Sequence, residues 1–241
     1  MVDEKLPFTS HLEELRKRLI ICFVAVGIGF IVSYAFSERI FKVLMKPLLE
    51  AMPPGGTLIF TGLTEAFFIY FKVSLLAGIF IASPVILYQI WSFVSPGLHE
   101  KEKKYAFSFV VFSTVFFVGG ALFGYFVVFP SSFKYLMSFA TDTMRPLPSA
   151  KEYLSLSTGL LFAFGIVFEL PVFVFFLSKI GIVNAKMLAS KRKYAIVIIF
   201  IVSAILTPTP DVVDQLMMAV PLLLLYEVSI WVVKVFGEKK G

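Results

Sequence analysis

"YAFSFVVFSTVFFVGGALFGYFVVF", residues 105–129, decides the fold class. The stretch holds no charged residue, and apolar and polar positions do not alternate along it. Roughly 20 such residues make a membrane-spanning helix, whereas a strand of a membrane barrel would alternate. The run therefore reads as a helix in lipid. The rest of the chain agrees with it: of 241 residues, 59% are hydrophobic, 17% aromatic and only 16% charged, and the mean hydropathy is +0.90. A soluble domain of that length could not hide so much apolar surface.

Five more apolar segments can be drawn on either side. The chain then reads as one integral membrane domain, 1–241, with spans at about 19–36, 67–91, 105–129, 153–177, 194–206 and 212–233. The third is expected to stop at Pro130. Ahead of the first lies "HLEELRKR", residues 11–18, read as an amphipathic helix over about 9–18. Ser10 and Glu13 have capping-box spacing, and Glu13–Lys17 and Glu14–Arg18 have helical ion-pair spacing. Most of the 22 Lys and Arg fall on flanks that share one side when both termini are cytoplasmic. The net charge of +6 is thus spent on membrane topology, and its placement argues against nucleic acid as a partner. The first apolar run is long and lacks a small-residue cleavage pattern, so it is expected to stay as a span rather than act as a cleaved signal.

The fifth segment, about 13 residues, reaches only about 20 Å against roughly 30 Å of hydrocarbon. With "TPTPD" as its only link to the sixth, it forms a tight, short hairpin. Such a hairpin must thin the bilayer or pack where water reaches it.

Few residues carry chemistry. Two acidic stretches share the expected cytoplasmic face: Glu13 and Glu14 in residues 11–18, and Glu100 and Glu102 in "SPGLHEKEKKY", residues 95–105. Each reads either as charge on a solvated helix or loop, or as a carboxylate free to take a guanidinium group. Glu169, in "AFGIVFELPVFVFF", lies deep in the fourth segment. An intramembrane carboxyl faces a bundle interior or a watery cavity. Pro171 follows and is expected to kink the helix. Asp211 after Pro210 reads as a helix cap, with Gln215 one turn on. His11 and His99 have no companions at metal-ligand spacing, and no nucleophile–base arrangement or phosphate-binding glycine loop is present. Neither a cofactor nor enzymatic activity is expected. The lone cysteine, Cys22, can form no internal disulfide.

Five stretches together resemble one family: "HLEELRKRL" (11–19), "SPVILYQIWSFVSPGLHEKEKKY" (83–105), "YFVVFPSSF" (125–133), "AFGIVFELPV" (163–172) and "LTPTPD" (206–211). They resemble TatC, the multispanning component of the twin-arginine protein translocase. The resemblance implies six helices, N-in and C-in, forming a curved wall with a concave face. It implies a receptor in the bacterial or archaeal inner membrane that binds twin-arginine signal peptides of folded cargo. The receptor would assemble with TatA- and TatB-type single-span subunits into a larger complex, and the protonmotive force would drive export. The residues matching the family's signal-peptide positions are Glu14, Glu102, Arg16, Arg18 and Phe93. Glu169, Gln215 and Asp211 match its intramembrane and hairpin polar positions, and Pro47 matches a proline of the first outer loop. "TPTPD" is one residue longer than the family's "TPPD". The alternative is a proton-coupled secondary transporter using Glu169; it predicts matching broken helices in both halves, and segments one to three offer none.

Overall fold

The computed structural model describes residues 8–53, 55–94, 106–141, 146–207 and 211–236. They are almost wholly helical. Four helical stretches are long and apolar enough to cross a membrane: Glu65–Phe93, Phe107–Met137, Ala150–Lys179 and Val212–Phe236. A bent pair, His11–Tyr34 with Ser37–Ala51, supplies a fifth. The sixth apolar helix is the short one, Arg192–Leu206, about 22 Å long by helical rise; its hairpin partner, Val212–Phe236, runs for 25 residues, so the expected short hairpin is short in its first arm only.

Helix α1 spans Phe8–Tyr34 as one rod. The charged stretch is therefore not a separate helix from the first span. Residues 11–34 contain no proline, and the few glycines among them do not interrupt the hydrogen-bond ladder. Ser10 lies inside α1 rather than at its N-cap. After a two-residue turn, α2 (Ser37–Ala51) leaves at 85°. Its residues alternate with helical period between exposed Glu38, Lys42 and Lys46 and buried Leu44, Met45 and Leu48. It caps one end of the wall, against α3 and α5.

Helix α3 (Glu65–Val94) returns along α1. Lipid tails are as apolar as leucine, so packing in the membrane depends on close approach. The α1–α3 crossing is made by two glycines in backbone contact: a Cβ on Gly29 would sit 2.6 Å from Gly78 O. Small buried serines do similar work elsewhere, and Ser74 Oγ returns its proton to Tyr70 O at 2.7 Å.

Helix α4 (Ala106–Phe123) passes through a π-helical turn, Gly124–Val128, into α5 (Phe129–Met137). The expected stop at Pro130 is therefore overridden. The wider turn places Pro130 in the first turn of α5, where its missing N–H costs nothing. Helix α6 (Ala150–Phe168) breaks at Glu169, and α7 (Leu170–Lys179) continues the span. Pro171 sits in the first turn of α7, so the break precedes it by two residues. Short α8 (Ala185–Ser190) leads into α9 (Arg192–Leu206), which packs on α10 (Val212–Phe236). The spanning helices neighbour one another in the order α1, α3, α4, α6/α7, α10, α9, a wall one helix deep.

The two long loops on the α2 side are tied together. Ile59 N donates to Pro148 O at 3.2 Å and Ala150 N to Ile59 O at 2.9 Å. The Glu65 carboxylate accepts from Thr61 N, Gly62 N and Lys151 N at 2.9–3.2 Å. Only the fold brings residues 149–151 to Glu65.

Candidate functional site

At the end of the wall where α1 begins and α3 finishes, five side chains meet. The i, i+4 spacing puts Glu14 and Arg18 on one face of α1, and Arg18 Nε and Nη2 both donate to Glu14 Oε1, at 3.1 and 2.5 Å. The third guanidinium nitrogen, Nη1, donates to Gln89 Oε1 of α3 at 3.2 Å. All described bonds to the Glu14 carboxylate fall on Oε1. The pair is partly exposed, 34% for the Glu14 side chain and 19% for Arg18. One turn away, His11 stacks on Phe93, ring centroids 4.4 Å apart and planes within 19°. The result is an acid with one oxygen uncommitted among the described residues, flanked by an aromatic pair. A guanidinium ligand suits it, because its donors match a carboxylate and its plane stacks on rings.

The structure thus brings Glu14, Arg18 and Phe93 together. Arg16 is exposed, and positions two apart do not share a helix face, so it points away from Gln89. Glu102 lies outside the described residues. Gln89 and His11 were missed as site residues. The one signal for Gln89 was an uncharged polar residue in the last turns of an apolar run.

A second polar site lies in the wall. A pocket of about 350 Å³ opens between α3 and α7, lined by Ile79, Leu87, Ile90, Phe117, Phe173 and Phe176, with Glu169 on its surface. Glu169 Oε1 is buried with no hydrogen-bond partner among the described residues. The Ser113 hydroxyl of α4 lies beside the carboxyl. Trp91 Nε1 already donates to Ser113 Oγ at 2.7 Å, so the Ser113 proton remains available to a neighbour. Glu169, at the break between α6 and α7, lines this pocket.

The hairpin residues have structural roles. Asp211 Oδ1 accepts from Asp214 N at 2.8 Å and caps α10. Gln215 Nε2 donates to Phe200 O of α9 at 3.2 Å. At the other end Arg192 clasps Glu227 with two bonds, 2.7 and 2.9 Å. Pro47 is buried within α2, where it leaves the Val43 carbonyl without its helical donor; Tyr125 Oη donates there instead, at 2.6 Å. No group of His, Cys, Asp or Glu among the described residues could hold a metal ion.

A family model described as "Sec-independent protein translocase protein (TatC)" matches residues 10–221. The chain is 52% identical over 238 residues to a TatC protein of Desulforapulum autotrophicum, covering 99% of this chain and 88% of that one. It is 43% identical over 237 residues to the TatC protein of Aquifex aeolicus, covering 98% of each. Two crystal structures described as the twin arginine translocase receptor TatC superpose with TM-scores of 0.76 and 0.79, each at 43% identity. They cover 93% and 92% of this chain, and 98% and 99% of their own.

Proposed function

The chain belongs to the TatC family of Sec-independent protein translocase proteins, and is thus a multi-pass, non-enzymatic receptor component of the Tat translocase; from that premise we propose that it binds twin-arginine signal peptides through Glu14 and Glu102. In this reading both termini and both acids face the cytoplasm, and the protein lies in the inner membrane. It supports protonmotive-force-driven export of folded proteins by assembling with TatA- and TatB-type single-span subunits. The observation that carries the reading is the Glu14 carboxylate, held at the end of α1 beside the His11–Phe93 stack, its Oε2 uncommitted among the described residues. A bond between ionised partners contributes about 1.5–3 kcal/mol, less where water competes, so each acid accounts for about tenfold in affinity.

Binding of a labelled twin-arginine peptide to Glu14→Ala, Glu102→Ala and the double variant tests this. Each single change is expected to weaken binding about tenfold and the double by more. Parent-like affinity in all three sinks the reading.

Glu169 serves, in the same proposal, as a polar anchor for a helix of a partner or of the inserted signal peptide. The unpartnered Oε1 facing an otherwise apolar pocket supports this. Glu169→Gln should retain more export activity than Glu169→Ala, because an amide still hydrogen-bonds there. Equal loss in both would point to ionisation as the required property.

A further inference from the structure

We propose that Arg18 is an internal competitor for Glu14, shared between Glu14 and Gln89, and that this competition makes the site prefer guanidinium over ammonium ligands. The proposal rests on the reading of Glu14 as a guanidinium site and adds what sets its selectivity.

The geometry is specific. Arg18 spends two donors on a single carboxylate oxygen, Glu14 Oε1, and a third on Gln89 Oε1 across the helix interface. It therefore straddles two acceptors, one charged and one neutral. A forked ligand needs both oxygens of a carboxylate for two parallel bonds. Among the described residues it meets Oε2 free and Oε1 occupied. To bind in full it must displace Arg18 from Oε1, and Gln89 is positioned to keep the displaced guanidinium bonded. An incoming arginine can do this, since it replaces a fork by a fork. A lysine ammonium offers a compact charge without the planar pair of donors, and it competes poorly with an arginine already in place. Selectivity then arises from what the ligand must evict, in addition to what it contacts. Gln89 acts through Arg18 and is a positioning residue.

The experiment compares the full chain in nanodiscs with two synthetic signal peptides, identical except for Arg-Arg or Lys-Lys at the paired position. Removing the competitor by Arg18→Gln is expected to strengthen Lys-Lys binding more than Arg-Arg binding, so that discrimination falls about tenfold. Gln89→Leu deletes the second acceptor and commits Arg18 to Glu14, so Arg-Arg binding weakens several-fold. In the Arg18→Gln background the same Gln89→Leu change has no effect. An unchanged discrimination ratio in Arg18→Gln, or a Gln89→Leu effect that persists without Arg18, overturns the proposal. Should Arg18→Gln fail to fold, Arg18→Lys keeps the charge without the fork, and its ratio is expected to fall as well; an unchanged ratio there also overturns it. Glu14→Ala serves as the reference. Parent-like binding in that variant removes the underlying reading and the proposal with it. Dependence on Glu14 with intact discrimination in the Arg18 variants removes the proposal alone.

Discussion

Gly78→Leu is expected to leave little folded protein. A Cβ at Gly78 would lie 2.6 Å from Phe30 N and 2.9 Å from Gly29 C, all backbone atoms of α1. No rotamer can relieve such a contact; the helices must part. Even Gly78→Ala should cost about 1–3 kcal/mol from overpacking, and the larger side chain more. In lipid the loss is not offset by a new apolar interface, because the separated surfaces gain nothing beyond contact with acyl chains. The effect extends to the site, since Arg18 Nη1 reaches Gln89 only while α1 lies against α3. Gly27 provides the control: nothing lies within 4 Å of a Cβ built there, so Gly27→Ala should be tolerated. The midpoint of thermal aggregation in detergent, with the yield of monodisperse protein, reads both. Equal behaviour of Gly27→Ala and Gly78→Ala would show that the crossing does not depend on glycine.

Tyr125→Phe combined with Tyr153→Phe should loosen α2 from the wall. Pro47 removes the donor that Val43 O would have met one turn on, and the Tyr125 hydroxyl takes its place. The Tyr153 hydroxyl donates to the adjacent Leu44 O at 2.5 Å from α6. A neutral hydrogen bond contributes about 1 kcal/mol, so the pair should cost about 2 kcal/mol. That loss should appear as a lower melting midpoint and faster proteolysis between α2 and α3. The two tyrosines differ in one respect. Pro47→Ala restores a helical N–H to Val43 O, so it should rescue Tyr125→Phe while leaving Tyr153→Phe unimproved. Failure of that selective rescue would mean that Pro47 acts through its ring packing rather than through the carbonyl it orphans.

Much of the fold was legible because membrane helices announce themselves by length and apolar composition. The long run at 105–129 identified its class without reference to any neighbour. Pro130 misled because a proline is read as a helix stop, whereas a π-helical turn just before it lets the helix continue. Asp211 read correctly as a cap, since capping is a contact between residues three apart. Gln89 and Tyr125 were passed over for the opposite reason. Their partners lie 71 and 82 residues away, and nothing local marks them.

By itself the sequence determined an α-helical membrane protein, its apolar segments, the short fifth of them, and the pairing of Glu14 with Arg18. Each of these follows from spacing within one helix or from the transfer energy of a contiguous run. Only the tertiary structure decided which oxygen of Glu14 is left open, that Arg18 is shared with Gln89, and that Glu169 faces a pocket between α3 and α7. These depend on how closely two helices approach and how each is rotated. At the α1–α3 crossing that is set by backbone contact between Gly29 and Gly78, a distance that neither residue encodes alone.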